Sequence, residues 1–243
     1  MAVASASIAA GALAPSTAVA RTVIDGTDSI PDHAPAVQQV AASHVILRVR
    51  PGHSLALRSR PFGRVLGRVG ATTRFGSRRT LGVVATRRSR WLAVTDPDIG
   101  ANRLVWVDAR AGGIRYVRTP LELEVRLAQG MLTVRRDDRI VRRFAVAVGA
   151  PASPTPTGRF AVTDKLAGAR FSTVYGCCIL ALSATQPNLP AGWSGGNRIA
   201  IHGAPLGSDF RGAVSSGCVR ARELDLRYLM RVVRLGTPVV IRP

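Results

Sequence analysis

A chain of 243 residues with 47% hydrophobic residues can form one large or two small globular domains, which excludes an intrinsically disordered protein. Its net charge of +20 comes from 34 basic and 14 acidic residues, and Lys165 is the only lysine. An arginine-biased composition and attraction to a polyanion both explain this charge. Aromatic residues make up only 5% and no nucleic-acid-binding motif is present, so nucleic acid is not expected as a partner.

The first 43 residues are expected to lie outside the folded domains. Residues 1–20 are rich in alanine and serine and end in Ala18-Val19-Ala20, a small-x-small pattern that is typical of a signal-peptidase site. No basic residue precedes this apolar run, which leaves a flexible leader as the alternative to an export signal. Residues 21–43 contain Pro31 and Pro35 with few large apolar residues and are predicted to be a linker. The sequence shows no stretch with the length and apolarity of a transmembrane helix.

Residues 44–118 are predicted to form a small β domain. Short apolar or alternating runs are separated by glycine, proline and aspartate, a pattern that is typical of small barrels and sandwiches. The predicted strands are residues 45–49, 55–57, 65–69, 81–85, 91–94 and 104–107. This segment carries 16 basic and 3 acidic residues, so the positive charge is densest here.

Residues 119–243 are predicted to form a second, mainly β domain. The alternation of apolar and polar residues over 121–125 indicates a half-buried strand. Further strands are predicted at residues 131–134, 140–148, 160–162, 198–201 and 238–241. One amphipathic helix is predicted over residues 221–234, with Gly236 as its C-cap.

His202 and Cys218 are the candidate catalytic pair. His202 directly follows a predicted strand, and Cys218 follows 16 residues later, after a glycine-rich loop. A thiol needs a base to become a good nucleophile at neutral pH, and imidazole is the usual partner. We expect Cys218 to lie at the N-terminus of the predicted helix, where the helix dipole favours the thiolate. The successive backbone N–H groups of Gly217 and Cys218 are the predicted oxyanion donors.

The other two cysteines, Cys177 and Cys178, are adjacent in a strand-like segment. Three cysteines with one adjacent pair do not make a disulfide framework. A zinc site would combine all three with His202, but the spacing fits no zinc motif, and adjacent strand residues point to opposite faces. We therefore expect Cys177 and Cys178 to be small core residues, with a redox partnership with Cys218 as the alternative.

Residues 199–203 (Ile-Ala-Ile-His-Gly) and 215–220 (Ser-Ser-Gly-Cys-Val-Arg) resemble the catalytic domain of L,D-transpeptidases, the YkuD type. That domain has a histidine followed by glycine or serine, a spacer of about this length and a Ser-His-Gly-Cys run. Ser216 stands where the family usually has a second histidine, which is not the general base. The resemblance extends upstream through residues 121–160. It implies a β-sandwich catalytic domain over residues 119–243, with one helix after the nucleophile.

The resemblance also implies roles for the residues around this pair. Cys218 would be the nucleophile and His202 the general base, with the imidazole oriented by the backbone carbonyl of Gly203. Residues that would bind substrate or shape its site are Arg220, Ser215, Ser216, Tyr175 and Trp193. Core packing is the alternative for the two aromatic residues, and the arginine would either bind a substrate carboxylate or pin the loop.

A second resemblance, to bacterial SH3-like domains, covers residues 44–118. The residues that carry it are the runs 57–63, 91–94 and 105–107, which contain Trp91 and Trp106. Such domains in exported proteins often bind wall polymers, so an anionic cell-wall polymer is one expected partner. The two tryptophans would either form a ligand surface or pack in the core of a barrel.

Together the two resemblances imply an exported peptidoglycan L,D-transpeptidase of a bacterial cell wall. A cysteine acyl-enzyme would release D-Ala from a donor stem peptide and form a 3→3 cross-link with an acceptor stem. One alternative is an L,D-carboxypeptidase, which uses water as the acceptor at the same site. Another is a non-catalytic cell-wall-binding protein, for which Ser216 is the argument. No metal or organic cofactor is needed for this chemistry, and a monomer is expected.

Overall fold

The computed structural model describes residues 38–39, 44–204 and 211–243. The predicted leader at 1–20 and most of the predicted linker at 21–43 lie outside these residues. The described part of the chain is mainly β, with seventeen strands and one α-helix, which confirms the predicted fold class. None of the described helices is long and apolar enough to cross a membrane.

The first eight strands form one sheet in the order β4-β3-β7-β6-β5-β2-β8, with β1 paired to β5. Their bounds are β1 Gln38–Gln39, β2 His44–Val49, β3 Ser54–Arg58, β4 Val65–Gly70, β5 Thr80–Arg87, β6 Trp91–Val94, β7 Val105–Asp108 and β8 Ile114–Thr119. Leu47, Leu55 and Val107 are fully buried in an apolar core that belongs to this sheet alone. The sequence pattern did not predict β8, which pairs with β2 along its whole length. The SH3-like nature of this sheet stays a prediction.

The other nine strands form a second sheet in the order β10-β9-β17-β12-β13-β14-β16-β11-β15. Their bounds are β9 Leu121–Arg126, β10 Met131–Arg136, β11 Arg139–Gly149, β12 Gly158–Ala167, β13 Cys178–Thr185, β14 Arg198–His202, β15 Ala213–Ser215, β16 Val219–Ala221 and β17 Pro238–Arg242. Because β10 also pairs with β11, the ladder of strands from β10 to β11 closes on itself around a second apolar core.

Strand β9 shows how the sequence pattern produces this core. Leu121, Leu123 and Val125 point inward and are buried among the apolar residues of the second sheet. Glu124 lies between them and is also buried, but its carboxylate is 3.0 Å from the guanidinium of Arg135 on β10. Opposite charges on neighbouring strands compensate part of the cost of burying a carboxylate, so the alternating pattern tolerates this exception.

The segment after Cys218 differs from the predicted helix. Residues Val219–Ala221 form strand β16, which pairs in parallel with β14, and the helix α1 covers Glu223–Val232. Cys218 therefore lies before a strand, and the first turn of the helix is several residues away. A helix dipole acts only within about one turn, so the prediction that it favours the Cys218 thiolate is wrong.

The helix is fastened to the second sheet by one apolar face and by one lysine. Leu226 and Leu229 are fully buried in the second apolar core. The ammonium of Lys165, on β12, donates hydrogen bonds to the carbonyl oxygens of Met230 and Val233 at 2.6 and 2.7 Å. These carbonyls belong to the last turn of the helix, where a cation is favourable because the dipole is negative there.

The two sheets are joined by buried polar contacts. The hydroxyls of Thr95 and Ser183 are 2.6 Å apart. The side-chain amide of Asn102 donates to the carbonyl of Thr185 at 2.7 Å and accepts from its N–H at 2.7 Å. The predicted domain boundary between residues 118 and 119 falls within β8, one residue before that strand ends, and it stays a prediction.

Candidate active site

One cavity of about 760 Å³ brings together most of the residues that the sequence singled out. Its lining includes His202, Cys218, Arg220, Ser215, Ser216, Tyr175 and Trp193. Gly203 and Gly217 do not line it, but each is the chain neighbour of a catalytic candidate. The cavity lies where β14 and β16 run side by side, with Ile201 paired to Val219. This pairing places the strand that ends in the histidine next to the strand that follows the cysteine.

His202 is the last residue of β14, and its side chain is only 5% exposed. Its Nδ1 atom is 2.5 Å from the carbonyl oxygen of Gly203. A carbonyl can only accept a hydrogen bond, so Nδ1 carries the proton and donates it. In the neutral ring the other nitrogen, Nε2, then has a free lone pair and is able to act as a base.

Gly203 can make this contact because two backbones approach each other closely. Its N–H donates to the carbonyl of Tyr175 at 2.8 Å. A Cβ atom on Gly203 would be 2.9 Å from both the Tyr175 carbonyl oxygen and the Cα atom of Gly176. Real Cβ atoms essentially never approach this closely, so a larger residue would push the chain away and move the carbonyl from the imidazole. Glycine is therefore required by packing at this position.

The surroundings of His202 keep its imidazole neutral. Burial lowers its pKa from 6.5 to about 4, against the opposing effect of the Gly203 hydrogen bond. The positive charge of Arg220, which faces His202 across the parallel ladder, lowers this pKa further. The ring of Tyr175 packs edge-on against the imidazole, with centroids 4.9 Å apart. At neutral pH the ring is thus an unprotonated base in a fixed orientation.

This shift predicts an acid-dependent loss of stability. In the unfolded chain the imidazole has its ordinary pKa near 6.5, so between pH 6.5 and 4 the unfolded state binds a proton that the folded state does not. Stability therefore falls as the pH drops through this window, by about 2 kcal/mol between pH 7 and pH 5 for this group. Urea unfolding should show that His202→Gln loses about 2 kcal/mol less over this range than the natural sequence does. An equal loss in both proteins would show that His202 titrates normally.

Cys218 is partly buried, and its sulfur is a thiol in this environment. Burial raises the pKa of Cys218, although a backbone hydrogen bond from Ala200 and the charge of Arg220 both act to lower it. The Sγ atom is 3.9 Å from the carbonyl oxygen of Arg198, to which a thiol can donate. A neutral thiol and a neutral imidazole that line one cavity require proton transfer during attack, instead of a thiolate formed in advance.

The turn before Cys218 is held by the hydroxyl of Ser215. This hydroxyl donates to the carbonyl of Cys218 at 2.5 Å and accepts from the N–H of Gly217 at 3.1 Å. The N–H of Gly217 is engaged within the turn and is not a free oxyanion donor, which differs from its predicted role. The buried Ser215 hydroxyl shapes the turn, which is one of its two predicted roles, and its proton is already donated within the turn. The N–H of Cys218 has no hydrogen-bond acceptor among the residues that the structure describes.

Gln186 packs against this turn, and no pattern in the sequence pointed to this residue. Its side chain is buried, and its Nε2 donates to the carbonyls of Pro154 and Ser216 at 2.9 and 3.4 Å. Gly217 has φ +109°, and a Cβ atom there would overlap the same amide nitrogen. The Gln186 side chain therefore fixes the position of the turn, and only glycine fits against it at position 217.

The remaining predicted substrate residues differ in their contacts. The Nε atom of Arg220 is buried without a hydrogen-bond partner, and the guanidinium makes no ion pair with any described residue. Trp193 is 44% exposed, and its indole N–H donates to the carbonyl of Gly196 at 2.7 Å. Ser216 lines the cavity beside Cys218. Arg220 thus has no counter-charge among the described residues, which suits an anionic ligand.

Cys177 and Cys178 form a disulfide, which their sequence pattern did not predict. Cys178 is still a core residue, since it is buried in the second apolar cluster with Cys177 packed against it. A disulfide sulfur is not a thiolate, so the alternative zinc set of three cysteines and His202 is not formed here. Cys218 is the free cysteine of the described chain.

Two further residues line the cavity although they come from the first sheet. Arg74 and Phe75 lie in the segment between β4 and β5, more than a hundred residues before His202. No local pattern in the sequence connects this segment with the catalytic candidates. A contact between residues so far apart in the chain follows from how the two sheets pack, which a sequence pattern does not encode.

Comparisons with known proteins agree with the second half of the chain. Residues 120–241 match the family model described as the YkuD L,D-transpeptidase catalytic domain. A Bacillus licheniformis protein is 30% identical over 132 residues, which cover 54% of this chain and 72% of that protein. A Bacillus subtilis protein is 27% identical over 122 residues, which cover 50% of this chain and 66% of that protein. Both are named L,D-transpeptidase YkuD, with the activity marked as provisional.

Solved structures give a partial match. The crystal structure of a mutant Enterococcus faecium L,D-transpeptidase is 20% identical, with a TM-score of 0.39. The match covers 51% of this chain and 50% of that chain. The present chain therefore spans about half the length of that structure.

Proposed function

Because the chain belongs to the family of YkuD L,D-transpeptidase catalytic domains, we propose that it is a peptidoglycan L,D-transpeptidase with a cysteine acyl-enzyme. The observation that supports this most is the 2.5 Å contact of His202 Nδ1 with the Gly203 carbonyl. It leaves Nε2 as the basic nitrogen of an imidazole that lines the same cavity as the free cysteine. A base and a thiol in one cavity are the minimum that acyl transfer to cysteine needs.

In the first step, the sulfur of Cys218 attacks the carbonyl carbon between the third residue and the terminal D-Ala of a donor stem peptide. The thiol proton passes to Nε2 of His202 as the sulfur–carbon bond forms. The tetrahedral oxyanion accepts a hydrogen bond from the Cys218 N–H, a type of contact worth about 3 kcal/mol. The carbon–nitrogen bond then breaks, His202 returns its proton to the leaving amine, and D-Ala departs from the thioester.

In the second step, a side-chain amine of an acceptor stem attacks the thioester. A new amide bond forms, the thiol is released with one proton, and a 3→3 cross-link results. If water attacks instead, the product is a shortened stem and the enzyme is an L,D-carboxypeptidase. Arg220 lines the cavity without a counter-charge from the described residues and would hold a carboxylate of the substrate in either case.

A non-catalytic cell-wall-binding protein is the competing proposal. Its argument is Ser216 in place of the family's second histidine. Ser216 contributes its carbonyl to the Gln186 contact, and the turn that presents Cys218 is formed without a histidine there. The free thiol and the oriented imidazole favour catalysis over this alternative.

The proposal for the whole protein is wider than its catalytic half. The leader at 1–20 would export the chain to the cell-wall space, and residues 44–118 would be an SH3-like module with a net positive charge that attracts an anionic wall polymer. We further propose that the protein acts as a monomer and uses no metal or organic cofactor.

Mass spectrometry of the purified protein with a disaccharide-tetrapeptide, beside Cys218→Ala, tests this proposal. We expect an acyl-enzyme, release of D-Ala and a cross-linked dimer, all absent in the variant. Release of D-Ala without a dimer would identify a carboxypeptidase. If a folded protein with a free Cys218 thiol gives neither acyl-enzyme nor D-Ala, the non-catalytic alternative replaces the proposal.

A further inference from the structure

We propose that residues 71–79 of the first sheet, the catalytic-cavity loop, form part of the substrate site, with Arg74 binding a free carboxylate of the donor stem peptide. This inference rests on the proposed function, because the stem peptide is the ligand assumed. It adds to that function a residue from outside the family domain at 120–241. The side chains of Arg74 and Phe75 both line the cavity that contains His202 and Cys218.

The side chain of Thr73 anchors the loop to the second sheet. The hydroxyl of Thr73 donates to the carboxylate of Asp164 at 2.5 Å, and Asp164 is fully buried on β12. The same hydroxyl accepts from the N–H groups of Phe75 and Ser77 at 3.3 and 3.2 Å. One threonine side chain thus holds both the shape of the loop and its position against the catalytic half. A fixed loop can contribute a binding group without a large entropic cost on binding.

Phe75 places the loop against the wall of the cavity. Its ring lies edge-on to the ring of Phe171, with centroids 5.9 Å apart. The guanidinium of Arg198 lies 5.8 Å from the Phe75 centroid, and the Arg198 carbonyl oxygen is 3.9 Å from the Cys218 sulfur. Phe75 therefore packs against the residue that contacts the nucleophile. Such a ring gives an apolar surface on which a peptide chain can lie.

The charges of the three arginines in this cavity differ in how they are compensated. Arg198 is 3.2 Å from a carboxylate oxygen of Asp98 and 3.8 Å from one of Asp164, so its charge is compensated within the protein. Arg74 is exposed and makes no ion pair with any residue that the structure describes. Arg220 also lacks an acidic partner in the described chain. Within the described part of the chain, the cavity thus offers two guanidinium groups without an acidic partner, one from the 71–79 loop and one from β16.

Two separate cations favour a ligand that carries at least two anionic groups. A guanidinium binds a carboxylate through two parallel hydrogen bonds, which is a directional and strong contact. A stem peptide has a free carboxylate at its terminal D-Ala, and further carboxylates upstream where they are not amidated. Arg74 is able to bind one of these carboxylates, while Arg220 lies beside the catalytic pair.

Calorimetric titration of a tetrapeptide stem into the full-length Cys218→Ala protein tests the inference without turnover. Adding Arg74→Ala should weaken binding about ten-fold. Arg78→Ala is the matched control, because Arg78 is an exposed arginine of the same loop that does not line the cavity. It should leave binding unchanged.

Stem peptides with each free carboxylate replaced in turn by a carboxamide complete the test. One of them should bind about ten-fold more weakly to the protein that retains Arg74 and should lose nothing further in the Arg74→Ala protein. Equal weakening by both arginine substitutions would show a general charge effect and overturn the inference. The inference would also be overturned if Arg74→Ala weakened the binding of every amidated stem peptide, or if the Cys218→Ala protein bound no stem peptide at all. D-Ala release by the unsubstituted protein would still support the proposed function in each of these cases.

Discussion

Replacing His202 by alanine should slow acyl-enzyme formation at pH 7 by about 10³-fold. Burial raises the pKa of Cys218, so the sulfur is a thiol at this pH and needs a base to take its proton. The pKa of His202 is about 4, so the imidazole is unprotonated and available. Single-turnover acylation by a tetrapeptide donor, followed by mass spectrometry, measures this rate.

The pH dependence gives this prediction a second readout. Because the base must be unprotonated, acylation in the natural sequence should stay level from pH 7 to pH 5 and fall as the pH drops through about 4. The deficit of His202→Ala should shrink as the pH rises, since the thiolate then forms without a base. His53→Ala is the control, because His53 is an exposed histidine with its own Nδ1 contact, 3.0 Å from the Pro51 carbonyl. A loss below ten-fold in His202→Ala would exclude His202 as the general base.

Gly217→Ala should lower the acylation rate at least 100-fold while the protein remains folded. The residue has φ +109°, a conformation that an alanine adopts only with strain, and its new Cβ atom would overlap the Gln186 side chain. The turn from Ser215 to Cys218 must then shift. A displacement of about 1 Å in a catalytic group costs about 100-fold in rate. Acylation rate and melting temperature should be measured on the same preparation.

Gly212→Ala separates the two causes. Gly212 also has a positive φ, +78°, but a Cβ atom there meets no atom of the described residues within 4 Å. It should show only backbone strain, about 1 kcal/mol of stability, with little change in acylation. If both substitutions affect acylation equally, the contact between Gly217 and Gln186 does not position the nucleophile. Combining Gly217→Ala with Gln186→Ala should recover part of the rate, because the steric overlap is removed.

Much of this fold was readable from the sequence because strand signals are local. The alternation of Leu121, Leu123 and Val125 places three side chains on one face of β9, and that face is buried as expected. The helix was also predicted, but its start was placed two residues too early. The run after Cys218 has an apolar pattern that suits a short strand or a first helical turn. Its pairing with β14, a long-range contact, decides between them.

The candidate catalytic pair was equally readable, since His202 and Cys218 are of the residue types that acyl transfer needs and are flanked by glycine-rich turns. The protonation states of these two side chains could not be predicted from the sequence. The sequence predicted a thiolate favoured by a helix dipole, whereas the structure has a partly buried thiol whose pKa is raised. A pKa depends on burial and on charges nearby in space, and neither can be read from residue order.

The residues that complete the site could not be found in the sequence at all. Gln186 lies under Gly217 and Thr73 binds Asp164 because separate strands meet in space, across 31 and 91 positions of the chain. The identity of the strands, the nucleophile and the base is carried by short runs of residues, whose patterns and chemistry are local. Packing between distant segments decides the rest. It sets the position of the turn before Cys218, the protonation of the Cys218 thiol and the presence of Arg74 in the cavity lining, and only the folded chain brings these segments together.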